Sequence, residues 1–222
     1  MCIRDSYREG LGHLVINTYM ADNTPFTEIR IRAGDTDRSA SWYSRQVQNY
    51  ARHLTNPNEL YQSDLGEFTT KVEVGRMYLF EYDPKWKKDL PYYDNFPLII
   101  MVDALPRGFS GINLHYLPPM VRARLLDKLL PAGDIEPNTE LKSAWNSIRN
   151  FTRFPELRNS VKKYLSAQSG RMYEIKPGNW KSAIFLPVQQ FRGGVGPQEI
   201  YRESTERPER KRRQTISGVT GR

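Results

Sequence analysis

Cysteine is nearly absent from this chain: Cys2 is the single one in 222 residues. One thiol excludes an intramolecular disulfide framework and any zinc site built on paired cysteines. Histidine is scarce too, and His13, His53 and His115 show no ligand spacing that would make a metal site. Long apolar runs are missing. The longest, Phe96 to Val102, is interrupted by Pro97 and falls far short of the roughly 18–20 residues of a membrane-spanning helix. No basic segment followed by an apolar one opens the chain as a secretory signal would. Catalytic templates are lacking as well. There is no Gly-x-Ser-x-Gly elbow, no Rossmann glycine fingerprint and no phosphate-binding loop, the Gly193–Gly194 pair being expected to lead into a tail instead of a helix. These gaps predict no cofactor, no membrane partner and no small-molecule substrate.

Positive charge is in surplus. Thirty-three Lys and Arg against 25 Asp and Glu give a formal net charge of +8, with a mean hydropathy of −0.67. That balance favours polyanions, with nucleic acid ahead of an anionic membrane surface, although a soluble basic protein with no charged partner would look the same. Residues 1–19 read as a non-native leader, because MCIRDS resembles a translated sequencing adapter and Met20 makes a more natural start. Residues 20–38 read as a flexible arm, 39–191 as a single α+β domain, and 192–222 as a disordered basic tail poor in core-forming residues.

Within the domain, Tyr43, Val47, Tyr50, Ala51 and Leu54 recur at helical spacing after Ser39 or Ser41, either of which can cap the helix. Residues 57–70 read as a polar connection. A β-rich block follows. Val72 to Phe80 forms a strand-like run broken at Gly75; Leu98 to Val102 has the continuous apolar character of a strand buried on both faces; Pro106–Arg107–Gly108 is a turn from which Phe109 to Leu117 pairs back. Short, tightly linked strands of this kind predict a small SH3-like barrel, with an open antiparallel sheet capped by helices as the alternative. About four helices pack it: the one after Ser39, one starting at Pro119 with Val121, Leu125, Leu126 and Leu129 inward, one capped by Asn138, and one opened by Pro155 with Leu157, Val161, Tyr164 and Leu165 inward. Met172–Lys176 and Ala183–Val188 read as late strands returning to the sheet.

The strongest charge feature is the run Arg207–Pro208–Glu209–Arg210–Lys211–Arg212–Arg213, which would release counterions from a phosphate backbone or simply stay solvated. The loop Lys85–Trp86–Lys87–Lys88, followed by Tyr92 and Tyr93, interleaves cations with rings. Such a set suits exposed base faces, which stack on aromatics for roughly 1–3 kcal/mol each; alternatively the rings cover the barrel edge and the lysines stay wet. His115 reads as a structural histidine bonded to the loop that carries Asp94. Asp83–Pro84–Lys85, with Glu73 and Glu81 nearby, matches the short Asp/Glu-x-Lys element of metal-dependent nucleases, but two-metal hydrolysis needs further convergent carboxylates and the sequence places none.

Three longer elements carry a resemblance: Tyr78–Lys85 (YLFEYDPK), Leu90–Leu98 (LPYYDNFPL) and Gly111–Pro118 (GINLHYLP), the last leading into a basic helix. Together with SASWYSRQVQ at residues 39–48 and the late stretch Tyr173–Val188, they resemble the DNA end protector proteins of T-even-type tailed phages and their marine relatives. The likeness covers about three quarters of the chain. It implies a non-catalytic virion protein, present in the host cytoplasm during assembly and after injection, that binds double-stranded DNA ends and shields them from host exonuclease. On that reading Lys85, Lys87 and Lys88 contact phosphates, Trp86, Tyr92 and Tyr93 stack on the terminal base pair, and Arg122, Arg124, Arg210, Lys211, Arg212 and Arg213 add nonspecific grip. The alternative is a neck or head-completion protein that binds phage head or neck proteins through its aromatic surface.

Overall fold

The computed structural model describes residues 25–34, 38–51, 57–129, 157 and 159–205. Its centre is the hairpin of β4 (Leu98–Leu105) and β5 (Gly108–Asn113), turning at Pro106–Arg107 as the sequence predicts. The first five residues of β4 are all buried, because both faces of the sheet are covered. Leu98, Ile100 and Val102 join one apolar cluster while Ile99 and Met101 join a second on the opposite side, the period-2 alternation of a pleated strand. Around the hairpin, β1 (Gly66–Thr69), β2 (Met77–Leu79), β6 (Val161–Leu165) and β7 (Met172–Ile175) complete an antiparallel sheet in the order β1-β7-β2-β4-β5-β6. A separate two-stranded ribbon pairs β3 (Tyr93–Asp94) with β8 (Phe191–Arg192). The fold is α+β, but the sheet is open: β1 and β6 form its edges and do not meet among the described residues, so the SH3-like barrel is not what forms.

Helices cover one face. Side chains from α1 (Pro25–Ala33), α2 (Ala40–Ala51), α4 (Pro119–Leu129) and α5 (Trp180–Ala183) enter the first cluster, among them Phe26, Val47, Leu126 and Trp180. The opposite face is closed by rings of the strands and their flanks. Phe80 meets Phe109 and Tyr164 edge-on at 5.5 and 5.3 Å, and Tyr82 lies 4.9 Å from Tyr164. Gly108 is required where β5 passes β6, since a Cβ there would overlap the Tyr164 carbonyl.

Several expectations change. The arm contains α1, whose first amides, of Phe26 and Thr27, donate to the Asp64 carboxylate at 3.1 and 2.5 Å. The connection at 57–70 holds α3 (Pro57–Tyr61) and β1. Val161, Tyr164 and Leu165 lie on a strand, not a helix: Ser160 bonds back to the Leu157 carbonyl through both its amide and its hydroxyl, and the chain then pairs with β5. The stretch 183–188 is the end of α5 and a turn, not a strand. The tail boundary also moves, because β8 and α6 (Pro197–Thr205) occupy residues assigned to it, and the Gly193–Gly194 pair is followed by a helix after all. Pro197 opens α6, the Gly196 carbonyl accepts from Glu199 and Ile200, and Ile200, Tyr201 and Ser204 are buried. The helix expected at Asn138 lies outside the described residues.

Candidate nucleic-acid interface

Residues Lys85–Asp89 form an exposed turn closed by the Lys87 amide on the Pro84 carbonyl (3.2 Å) and the Asp89 amide on the Trp86 carbonyl (3.0 Å). Its base is fixed to the sheet side: Tyr82 bridges Ser169, and the Asp83 amide donates to the Gln168 carbonyl at 3.1 Å. Trp86 keeps 61% of its surface in solvent, unusual for the largest apolar side chain, and the Lys85 ammonium sits 5.1 Å from its ring centroid. Lys87 is partly neutralised by Asp83, with Nζ 2.9 and 3.0 Å from the two carboxylate oxygens, and that hydrogen bond holds its pKa above the ordinary lysine value. The four residues that sequence reasoning singled out here do stand together at the surface.

The β3–β8 ribbon continues this surface. Tyr93 lies opposite Arg192 in the ladder and is among the groups that act on Lys87, after Asp83. Arg192 is exposed and Tyr93 half-buried. Gly193, at φ +113°, takes the chain so close to Pro91 that a Cβ would overlap the Pro91 carbonyl oxygen. The ribbon's other side faces inward. Tyr92 lies 6.0 Å from Tyr116 and 6.4 Å from Phe191, and its hydroxyl donates to Glu203 of α6 at 2.8 Å. Burial, and then that bond, raise the Tyr92 pKa well above the ordinary phenol. Tyr92 is therefore held in a cluster with Tyr116 and Phe191, and no described ring contact joins it to Trp86 or Tyr93, the rings expected to stack with it.

One cation in this cluster escaped the sequence reading. Lys162 of β6 places Nζ 4.0 Å from the Tyr116 ring centroid. Burial lowers its pKa to about 8, with Glu203 acting in the opposite sense. The signal was hidden because residues 161–165 scan as helix and 192–205 as tail, so neither Lys162 nor Glu203, which acts on it, could be placed.

Beneath the ribbon lies a polar core. His115, fully buried in a 3-10 turn at Leu114–Tyr116, has Nδ1 2.8 Å from Asp94 Oδ2, as expected for a structural histidine. Burial lowers the His115 pKa, and the neutral ring donates to an ionised Asp94. Burial alone would raise Asp94, but His115, the Asn113 side-chain amide at 3.1 Å and the Phe96 amide at 3.1 Å keep its pKa below the ordinary carboxyl. Arg122 belongs to this core and not to a DNA surface. It is 1% exposed, and its guanidinium donates to the carbonyls of Leu117 and Ile184 at 2.8 and 3.0 Å, to Gln189 at 2.8 Å and to Tyr201 at 3.1 Å. Its proposed grip on DNA is corrected accordingly: a guanidinium buried to this degree and committed to four internal acceptors is not presented to a phosphate. Arg124 is exposed on α4, and no described contact joins it to the lysine turn. Arg210, Lys211, Arg212 and Arg213 lie outside the described residues. Of the nuclease-like carboxylates, Asp83 is engaged by Lys87 and Glu73 by Lys71 at 2.7 Å. Among the described residues no group of three or more His, Cys, Asp or Glu side chains could hold a metal ion.

A family model described as phage T4 terminal DNA protecting protein matches residues 33–198, about three quarters of the chain. No curated protein and no solved structure matches.

Proposed function

This chain belongs to the phage T4 terminal DNA protecting protein family, and from that premise we propose that it binds the ends of linear double-stranded DNA in a phage particle and blocks exonucleases without catalysing a reaction. The observation that carries this reading is the turn Lys85–Trp86–Lys87–Lys88, an exposed indole among three exposed ammonium groups, continuous with Tyr93 and Arg192 on the ribbon. A duplex offers phosphates along its whole length but a bare base-pair face only where it stops. Cations alone would bind anywhere on it. Trp86 adds the flat apolar surface that an end can use. Lys85 and Lys88 would carry most of the phosphate contact, Lys87 less because Asp83 already compensates it. Arg124 and the basic run 207–213 would add sequence-independent attraction.

The test is digestion of a linear duplex by a 5′→3′ and a 3′→5′ exonuclease with and without the protein, using relaxed circular DNA as competitor. Protection of both strands that circular DNA fails to relieve is expected. Protection abolished by equal masses of circular DNA, or none at all, would remove the end-binding reading.

A second reading, attachment to phage head or neck proteins, is favoured by an apolar cleft at the far end of the β4–β5 hairpin, formed by Leu105, Pro106, Tyr164 and Leu165 together with Arg107 and Lys163. Retention on purified heads in the absence of DNA is its expected signature.

A further inference from the structure

Lys162 is a poor fit to an ordinary structural role. Its ammonium carries three donors, yet the described residues offer it no hydrogen-bond acceptor and no carboxylate within ion-pair distance; its contact is the face of Tyr116 at 4.0 Å. Glu203, from α6, is the charged group that acts on it, but that carboxylate accepts from the Tyr92 hydroxyl and lies beyond ion-pair range. The site is walled by Tyr116 from the 3-10 turn, whose ring is 5.3 Å from Phe191 of the ribbon and 6.0 Å from Tyr92. A half-buried charge that has given up water without gaining an acceptor is unfavourable unless something anionic is to arrive.

We propose that Lys162, over the face of Tyr116 in the ring cluster that Tyr116 forms with Tyr92 and Phe191, is the seat for the terminal phosphomonoester of a DNA strand. The inference rests on the end-protection reading and adds to it what part of the end is recognised. The chemistry selects a monoester over the diesters of an internal backbone. A terminal phosphate carries between one and two negative charges near neutral pH and three free oxygens, against one charge shared by two oxygens in a diester. The setting selects it too. Lys85, Lys87 and Lys88 are exposed, whereas Lys162 is half-buried, so a stiff duplex can lie across the former while a strand terminus is what can reach the latter. Because burial brings its titration to about pH 8, the contribution of Lys162 should fade as pH rises through that value, while the exposed lysines stay charged.

The experiment compares short duplexes with 5′-phosphate, 3′-phosphate or two hydroxyl termini, measured by gel shift with circular competitor, for the wild-type chain and Lys162→Met. For the wild type at pH 7 a phosphorylated end should bind about tenfold tighter than a hydroxyl end, the scale of one charge-assisted hydrogen bond, and the 5′ and 3′ arms identify which terminus is seated. K162M should lose the phosphate advantage and bind the three duplexes alike. Equal wild-type affinity for all three duplexes, with linear DNA still preferred to circular, overturns the phosphate seat and leaves end protection standing. A phosphate advantage that persists in K162M overturns the assignment to Lys162. Absence of any preference for linear over circular DNA overturns the end reading, and this inference with it. If the variant folds poorly, the wild type measured from pH 7 to 9 still decides: a phosphate advantage that fades through about pH 8 supports Lys162, and one that does not fade overturns the assignment.

Discussion

Removing the Lys162 charge should stabilise the protein, an unusual expectation for a residue assigned to a binding site. A free lysine has a pKa of 10.5, and burial brings that of Lys162 to about 8. Each unit corresponds to about 1.4 kcal/mol between the charged and neutral forms, so the full shift implies at most about 3.5 kcal/mol of penalty for holding the charged group. Lys162 is only half-buried, and solvent screening reduces that to about 1–2 kcal/mol. The sign follows from linkage. The folded pKa lies below the unfolded one, so between about pH 8 and 10.5 the unfolded chain binds more protons, and stability is lost as pH falls through this window. Below pH 8 the penalty is complete and constant. Lys162→Met keeps a stem of similar length without the charge. In a domain of this size about 1–2 kcal/mol raises the melting temperature by roughly 3–6 °C, so K162M should melt that much higher at pH 7 and the gap should close as pH approaches 10.5. Calorimetry of both chains from pH 6.5 to 10 measures it. A variant that melts at or below the wild type at pH 7, or a gap that ignores pH above 8, would show that Lys162 is not a desolvated charge and would take away the physical motive for an anion there.

The substitution of Lys85, Lys87 and Lys88 by Gln should weaken binding to linear duplex and flatten its salt dependence. With about 0.9 in log–log slope per phosphate contact, and Lys87 partly cancelled by Asp83, a loss of about 2 in slope is expected; an unchanged slope would separate this turn from DNA. Arg122→Met should leave that slope alone and lower stability in urea by about 3 kcal/mol, because buried carbonyls of Leu117 and Ile184 lose their donor. A slope reduced by about 1 without loss of stability would return Arg122 to the DNA surface. Acid should unfold the chain partly through His115. Its folded pKa lies below the ordinary 6.5, so the stability it contributes is complete above pH 6.5 and is lost as pH falls through its folded value. Melting between pH 7 and 5 should therefore be steeper for wild type than for His115→Gln, and parallel curves would contradict the buried neutral imidazole.

What could be read from the sequence followed from local causes. Leu98–Val102 is apolar at every position because the strand is covered on both faces; the Pro106–Arg107–Gly108 turn and the helix from Pro119 needed nothing beyond neighbouring residues, and the bond of His115 to Asp94, twenty-one residues away, is the one longer-range pairing among them. The errors trace to distant partners. The cap of α1 is Asp64, thirty-eight residues from Phe26. Val161, Tyr164 and Leu165 fit a helical period, and only the presence of β5 alongside decides for a strand. Helix α6 has few apolar residues, and its place depends on Arg122 reaching Tyr201. The lysine turn was legible because it is local and exposed. The Lys162 cluster was not, since its members come from β6, the 3-10 turn, the ribbon and α6.

Helix α6 also settles where the basic run of the C-terminus is tethered. Its last residue, Thr205, follows Glu203 by two positions, and Glu203 is bonded to Tyr92 in the ring cluster. Arg213 is eight residues further on, and a chain of that length spans at most about 28 Å even when fully stretched. Arg210, Lys211, Arg212 and Arg213 are thus held within that reach of Thr205, at an effective concentration set by the leash and not by the protein in solution. On the proposed end-binding reading, contact by these four side chains would follow that of the turn as an intramolecular event.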